Sequence, residues 1–275
     1  MKPSACREIL LKHVLAFILL LSFTAVQAVV VRDDVADARH LVPESEFPAL
    51  VDLPGEGQGV LIAKEWVVTA AHATQGYALD QVMINGKWRD VAELIVHPGF
   101  RKLPEGSLSG DAAPMMAKLA AMQDIALIKL SKPVDDVKPV ALYTGSDEQG
   151  ATVEIYGKGA TGNGLVGQYP HSPHRGKLRR AYNRITDAHE QWLDYTFDCG
   201  SKALSLEGVM GDGDSGGPVL IKVNGAWTLA GLADWKHWKG DLSHFRAGVC
   251  GQTFSNIRIS HYAGWINGVI AAYKP

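Results

Sequence analysis

The sequence predicts an all-β fold, a barrel or a sandwich, on three observations. Short apolar runs recur along the chain, each bounded by a cluster of turn-forming residues. Helical spacing of apolar residues is confined to one stretch near the C-terminus. The chain holds 29 glycines, many of them inside the turn clusters, where a sheet must reverse direction sharply. These features do not choose between barrel and sandwich.

The first 28 residues stand apart. Lys2, Arg7 and Lys12 make a basic start, Val14 to Phe23 is apolar except for Ser22, and Val26-Gln27-Ala28 offers small residues for cleavage. The apolar run is short for a membrane span, so a secretory signal peptide over 1–28 is expected. Removing 28 of the 275 residues leaves 247, enough for one large domain or two small packed ones. The formal charge is −2, and taking away Lys2, Arg7, Lys12 and Glu8 moves it to −4. That balance carries no basic field for nucleic acid. Of three cysteines, Cys6 falls in the leader, so an exported chain keeps Cys199 and Cys250, which suggest one disulfide or two buried thiols.

Val29 to Glu46 is charged and weakly patterned, which predicts an extended surface arm or a processed segment. Phe47 to Leu53 opens the ordered core. Gly59 to Ala63 and Trp66 to Thr69 read as strands joined at Lys64-Glu65, and Gln81 to Ile84 and Val91 to Val96 as strands around Asn85-Gly86. Arg101 to Met122, with turns at Pro104-Glu105-Gly106 and Ser109-Gly110-Asp111, reads as a surface excursion. Ile125 to Leu130 is a near-continuous apolar strand, and Ser131 to Lys138 a crossover. Further strands are expected from about Ala151 to Gly159, over Trp192 to Phe197 and over Trp227 to Trp235. His171 to Arg184 is basic and turn-rich; its His171-Ser172-Pro173-His174 reads as a solvated loop. Tyr262, Trp265, Ile266, Val269 and Ile270 fall on one helical face.

The chemistry concentrates at Gly211-Asp212-Gly213-Asp214-Ser215-Gly216-Gly217-Pro218, followed by the apolar Val219-Leu220-Ile221. Glycines around one serine leave backbone amides uncovered, which suits a nucleophilic hydroxyl beside an oxyanion hole. A tight Asp/Gly turn between strands accounts for the same residues. Two stretches upstream tip the balance: Thr69-Ala70-Ala71-His72 and Gln123-Asp124-Ile125-Ala126-Leu127. In this order and spacing the three stretches resemble the trypsin/chymotrypsin-like serine protease family, and the resemblance runs from about Phe47 to Ile270.

The resemblance implies two six-stranded antiparallel β-barrels packed face to face with a C-terminal helix, the first barrel over 47–138 and the second, with the helix, over 139–275. It implies His72 as general base, Asp124 as its orienting acid and Ser215 as nucleophile, with the amides of Gly213 and Ser215 as the oxyanion hole. Asp214 matches the residue that pairs with the α-ammonium released by activation cleavage. Val209 matches the floor of the primary substrate pocket, and Asp234-Trp235-Lys236 the family's Ser-Trp-Gly edge along which substrate pairs. An apolar Val209 predicts no preference for arginine or lysine, whose charge it would leave unpaired. Lys236, in place of glycine, would narrow the pocket mouth or attract an acidic side chain.

Other departures are as informative. No Ile-Val-Gly-Gly follows a basic residue, so a new N-terminus would begin at Val29, after signal removal, or at His40, after Arg39; the second lies nearer the family spacing and would make the protein a zymogen. Lys158 replaces the tryptophan of a Gly-Trp-Gly. Gly57, Ala73 and Gly211 stand where the family has half-cystines, so a Cys199–Cys250 bridge would tie the pocket loops instead. No stretch matches the calcium loop of some members, and no cofactor or metal is expected. The implied partners are polypeptide substrates and protein protease inhibitors, with no nucleic acid and no membrane once the signal is removed, in a secreted or periplasmic setting. Alternatives are a catalytically idle binding module, kept open by the missing Ile-Val-Gly-Gly, Lys158 and Lys236, and a hydrolase of esters.

Overall fold

The computed structural model describes residues 29–104, 109–172 and 175–273. The expected signal peptide, Cys6, and parts of the Pro104-Glu105-Gly106 turn and of the His171 to His174 loop lie outside the described residues. In chain order the elements begin with β1 (Val29–Val31), β2 (Leu50–Asp52), β3 (Gln58–Ala63), β4 (Trp66–Thr69), β5 (Gln81–Ile84) and β6 (Lys87–Val96). Then come α1 (Ala113–Ala120), β7 (Ala126–Leu130), β8 (Thr152–Gly157), β9 (Thr161–Asn163), β10 (Gly167–Gln168) and β11 (Arg179–His189). The chain closes with β12 (Trp192–Thr196), β13 (Gly208–Val209), β14 (Pro218–Val223), β15 (Ala226–Lys236), β16 (Thr253–Arg258) and α2 (Ile259–Ala272).

Two closed, antiparallel, six-stranded barrels result, in the orders β2-β3-β4-β7-β6-β5 and β11-β12-β16-β15-β14-β8. Closure leaves neither barrel with an open edge. Each has a hairpin whose two central residues take positive φ, Asn85-Gly86 between β5 and β6 and Asn224-Gly225 between β14 and β15, which matches the strand twist. The first core gathers Val60, Val67, Val68, Ile84, Leu127 and Ile128. α2 belongs to the same cluster through Ile259, Tyr262 and Ile266, with Trp265, Val269 and Ile270 packed on its margin. The second core fills the other barrel with residues such as Val153, Ile155, Leu193, Tyr195 and Phe254.

A four-stranded layer, β10-β9-β1-β13, lies outside both barrels. It departs from the expected surface arm, because Val29 and Val30 are completely buried. Three consecutive valines need a partner on both sides, and β9 and β13 supply them. Farther along, His40 is also buried, its Nδ1 3.0 Å from the Arg180 carbonyl. The second half of the stretch read as turn-rich forms the start of β11. There Arg179, 1 % exposed, is held by Asp37 through two bonds of 2.6 and 2.7 Å, so a strand accepts it. Within the Arg101 to Met122 excursion the structure adds α1, which begins with Pro114 in its first turn and buries none of its residues.

Cys199 and Cys250 form a disulfide, with Cα atoms 5.8 Å apart. It presses on Gly164, where a Cβ would collide with the Cys250 sulfur, and Cys250 N donates to the Gly164 carbonyl at 2.9 Å. Gly211 also has a packing reason to lack a side chain, since a Cβ there would meet the Ala160 carbonyl oxygen.

Candidate active site

β4 runs buried to Thr69, and the chain then turns through Ala70 and Ala71 into a single 3₁₀ turn that starts at His72. Its neighbour β7 pairs Ala126 with Thr69, which brings Asp124, just ahead of β7, beside that turn. Asp124 holds the histidine at two points. Its Oδ1 accepts the His72 amide at 2.8 Å, and its Oδ2 lies 2.8 Å from Nδ1. A carboxylate can only accept, so Nδ1 donates a ring proton to it, and Nε2 is the nitrogen at which the ring gains or loses its second proton. The Asp124 side chain is 3 % exposed and that of His72 38 %.

A second carboxyl group lies beside the pair. β15 shifts register between Ala233 and Trp235, a bulge that leaves Asp234 out of the ladder and re-aims its side chain. Oδ1 lies 3.6 Å from His72 Nδ1, and Oδ2 meets no hydrogen-bond partner among the described residues. Burial lowers the His72 pKa, but the Asp124 charge and hydrogen bond, helped by Asp234, outweigh it and raise the ring to about 9. Burial and the Asp124 charge push Asp234 well above the usual carboxylate range.

Ser215 is half-buried in the turn that leads to β14. Its carbonyl accepts Gln58 N at 2.7 Å. The next residue, Gly216, has φ of 78° and comes so close to β3 and β4 that a Cβ would lie 2.9 Å from Ala70 N. The serine turn therefore sits on the same segment that ends in His72. Asp214, fully buried, points the other way. Its carboxylate accepts Lys158 N at 2.8 Å, Gly159 N at 2.6 Å, Gly211 N at 2.9 Å and Gln58 Nε2 at 3.1 Å. Burial pushes it up to about 6 against these donors.

The trypsin family profile matches residues 39–266. The chain belongs to the trypsin family. It is 24% identical over 233 residues to vitamin K-dependent protein C of Mus musculus, covering 77% of this chain and 45% of that protein. To the protein of the same name in Rattus norvegicus it is 25% identical over 233 residues, with the same coverage. The chain thus spans less than half the length of these curated relatives.

Within this trypsin-family frame, a cavity of about 290 Å³ opens beside His72, walled by Phe100, Leu103, Leu119, Met122 and Trp235. Trp235, expected from the sequence on the substrate edge, lines this cavity, and α1 contributes Leu119 to a wall that no sequence motif marks. Val209 is not part of that wall. It is completely buried in β13, paired with Val30. Lys236 reaches Asp212 at 2.5 Å, and Asp212 also accepts Gln168 Nε2 at 2.8 Å. Lys236 is held inside the protein's own ion pair, which removes the reason to expect attraction of an acidic side chain. Lys158, the other unusual lysine, ties the barrels together through Asp52 at 2.9 Å and Glu44 at 3.2 Å.

Two groups of potential metal donors occur among the described residues, and both are already engaged. Asp33 lies by Cys199 and Cys250, whose sulfurs are bonded to each other. In the other group, His72 Nδ1 and Asp124 Oδ2 are spent on one another.

Proposed function

We propose that the chain is a secreted serine endopeptidase that cleaves peptide bonds through Ser215, His72 and Asp124. The observation that carries the reading is the two-point hold of Asp124 on His72, made at the segment on which the Ser215 turn is seated. Ser215 Oγ attacks the substrate carbonyl carbon while His72 Nε2 takes its proton. Asp124 fixes the tautomer and stabilises the imidazolium. The oxyanion meets the amides of Gly213 and Ser215; the other amides of the turn are engaged, Asp214 N with Gly211 O, Gly216 N with Ala233 O and Gly217 N with Asp214 O. Collapse of the intermediate passes the His72 proton to the leaving amine, and water then releases the acyl group by the same steps in reverse.

For specificity, the apolar cavity beside His72 favours a substrate with an apolar side chain near the cleaved bond. The Lys236–Asp212 pair keeps that carboxylate from meeting an arginine or lysine side chain, which argues against a preference for either. For activation, the reading turns on β1. In register with β9 and β13, the upstream end of β1 points towards Gly159 and Gly211, two of the donors to Asp214. That favours a mature terminus at Val29 over one at His40, with its α-ammonium joining Asp214.

The test is labelling by a phosphonofluoridate probe together with Ser215→Ala. The variant should keep its circular dichroism, lose labelling, and lose at least about 10⁴-fold in peptide cleavage. Cleavage at the wild-type rate by S215A would remove the nucleophile. Labelling without cleavage of any peptide library, but with ester turnover, would move the activity to esters.

A further inference from the structure

Asp234 has no task in the reaction above, yet it is built into the site. Its side chain is 2 % exposed, its Oδ1 is 3.6 Å from His72 Nδ1, and its Oδ2 is unpartnered among the described residues. Asp124, His72 and Asp234 each bring an atom within 4.8 Å of the other two. The imidazole N–H cannot serve both carboxyl groups, and it is directed to Asp124 at 2.8 Å, which also takes the His72 amide. Two enclosed carboxylates so close together cannot both ionise without a cation between them.

The groups facing the pair supply no such cation apart from the base itself. Lys236, on the same strand, is committed to Asp212 at 2.5 Å. Tyr262 of α2 gives its hydroxyl to Gln123 at 2.8 Å, and burial above all pushes that phenol up, which keeps it neutral. Lys102 lines the same cavity without an ion pair to either carboxyl group among the described residues. With His72 neutral, as the base is when it takes the Ser215 proton, one carboxyl group must hold a proton. Asp124 accepts two N–H bonds, whereas Asp234 Oδ2 accepts none among the described residues, so the proton belongs on Asp234.

We propose that Asp234 is a positioning residue that works as a neutral carboxylic acid, donating its O–H towards Asp124 and leaving a single negative charge behind His72. The proposal rests on His72 acting as the base. Asp124 already raises the His72 pKa; a second ionised carboxylate would favour the imidazolium further and shrink the share of rings free to take the Ser215 proton, whereas a neutral acid steadies Asp124 without that addition. The raised pKa of Asp234, from burial and from Asp124, agrees with this assignment.

The decisive comparison uses the full chain at neutral pH and needs no turnover. The infrared difference between wild type and Asp234→Asn should contain a protonated carboxyl C=O band in the wild type. The imidazole proton resonances of His72 should titrate in D234N within about half a unit of wild type, since a neutral group has been replaced by a neutral one. Absence of the band, or a fall of more than about one unit in the His72 midpoint, would overturn the proposal by showing an ionised Asp234. In cleavage assays Asp234→Ala should lower kcat about tenfold with KM held, and Asn, which keeps an N–H donor, should recover most of it. Equal losses in both variants would also overturn the positioning role. Because band and titration are read without substrate, they stand or fall separately from the nucleophile assignment, which S215A tests.

Discussion

At Gly216 the chain has no room for even a methyl group. A Cβ would collide with the Gln58 carbonyl oxygen and Thr69 Oγ1, and would lie 2.9 Å from Ala70 N. Gly225 makes a natural control, with φ of 85° and nothing within 4 Å of its Cβ position. Gly225→Ala should cost about 1–2 kcal/mol, the strain of an L-residue in the left-handed region. Gly216→Ala adds overpacking of about 1–3 kcal/mol and should shift the Ser215 turn away from His72, with a loss of activity that Gly225→Ala lacks. Urea unfolding of both variants measures the difference, and equal losses would mean that the turn is not wedged against Ala70. At this scale the sequence is partly legible. The glycines around Ser215 stand out as a motif. Gly157 and Gly159 stand out only as the flanks of Lys158, and that a side chain on either would collide with the Asp214 carboxylate is visible in the fold alone. Asp234 is visible as the first residue of the stretch that matches the family's Ser-Trp-Gly; that its side chain turns inward depends on a bulge, which only the pairing of β15 with β16 creates.

Among the elements, the segment between Cys199 and Cys250 carries β13, β14, the Ser215 turn and β15. The bridge spans 51 residues and also clamps the turn after β9 through Gly164. Replacing both cysteines by serine should lower stability by about 2–4 kcal/mol. In that double variant the backbone amide at position 250 should exchange faster with solvent, because its bond to the Gly164 carbonyl loses its anchor. Denaturation of wild type with and without reductant, beside the double variant, checks the magnitude; an unchanged midpoint would make the bridge incidental. β4, β7 and α2 are readable because they bury continuous or regularly spaced apolar residues. β11 is not, because its inward positions include Arg179 and Asn183, whose polar groups are satisfied by Asp37 and the Gly208 carbonyl. α1 escapes for the opposite reason. None of its residues is fully buried, Met116 and Leu119 resting only on the margin of the first core, and its start rests on Pro114 and on Asp111 Oδ1 accepting Ala113 N at 3.2 Å.

For the whole molecule, the question is how the N-terminal strand governs a site in another part of the sequence. β1 is wedged between β9 and β13, and these strands lead directly into Gly159 and Gly211, which donate to Asp214. With the chain continuing upstream of Val29, burial raises Asp214 to about 6, above its ordinary value of about 3.9. Its share of stability is then full below about pH 3.9 and is lost as pH climbs through about 6. A free Val29 ammonium beside Asp214 reverses that sign. The pair depresses the carboxyl pKa and raises that of the amine above its ordinary value of about 7.7–8.0. Stability from the pair is present between those two values, and is lost on the acid side through the depressed carboxyl and on the alkaline side through the raised amine. A chain beginning at Val29 should therefore melt higher at pH 7 than one carrying one to three extra residues. The margin should shrink towards about pH 4 and again above about pH 9, as either partner loses its charge. kcat/KM should follow the same ordering, because Asp214 fixes the Gly211 to Ser215 turn to which the proposed mechanism assigns the oxyanion donors. Thermal melts and peptide cleavage of the two forms across about pH 4–10 decide the matter, and coincident curves in both measurements would leave Asp214 to its amide donors and detach activation from Val29.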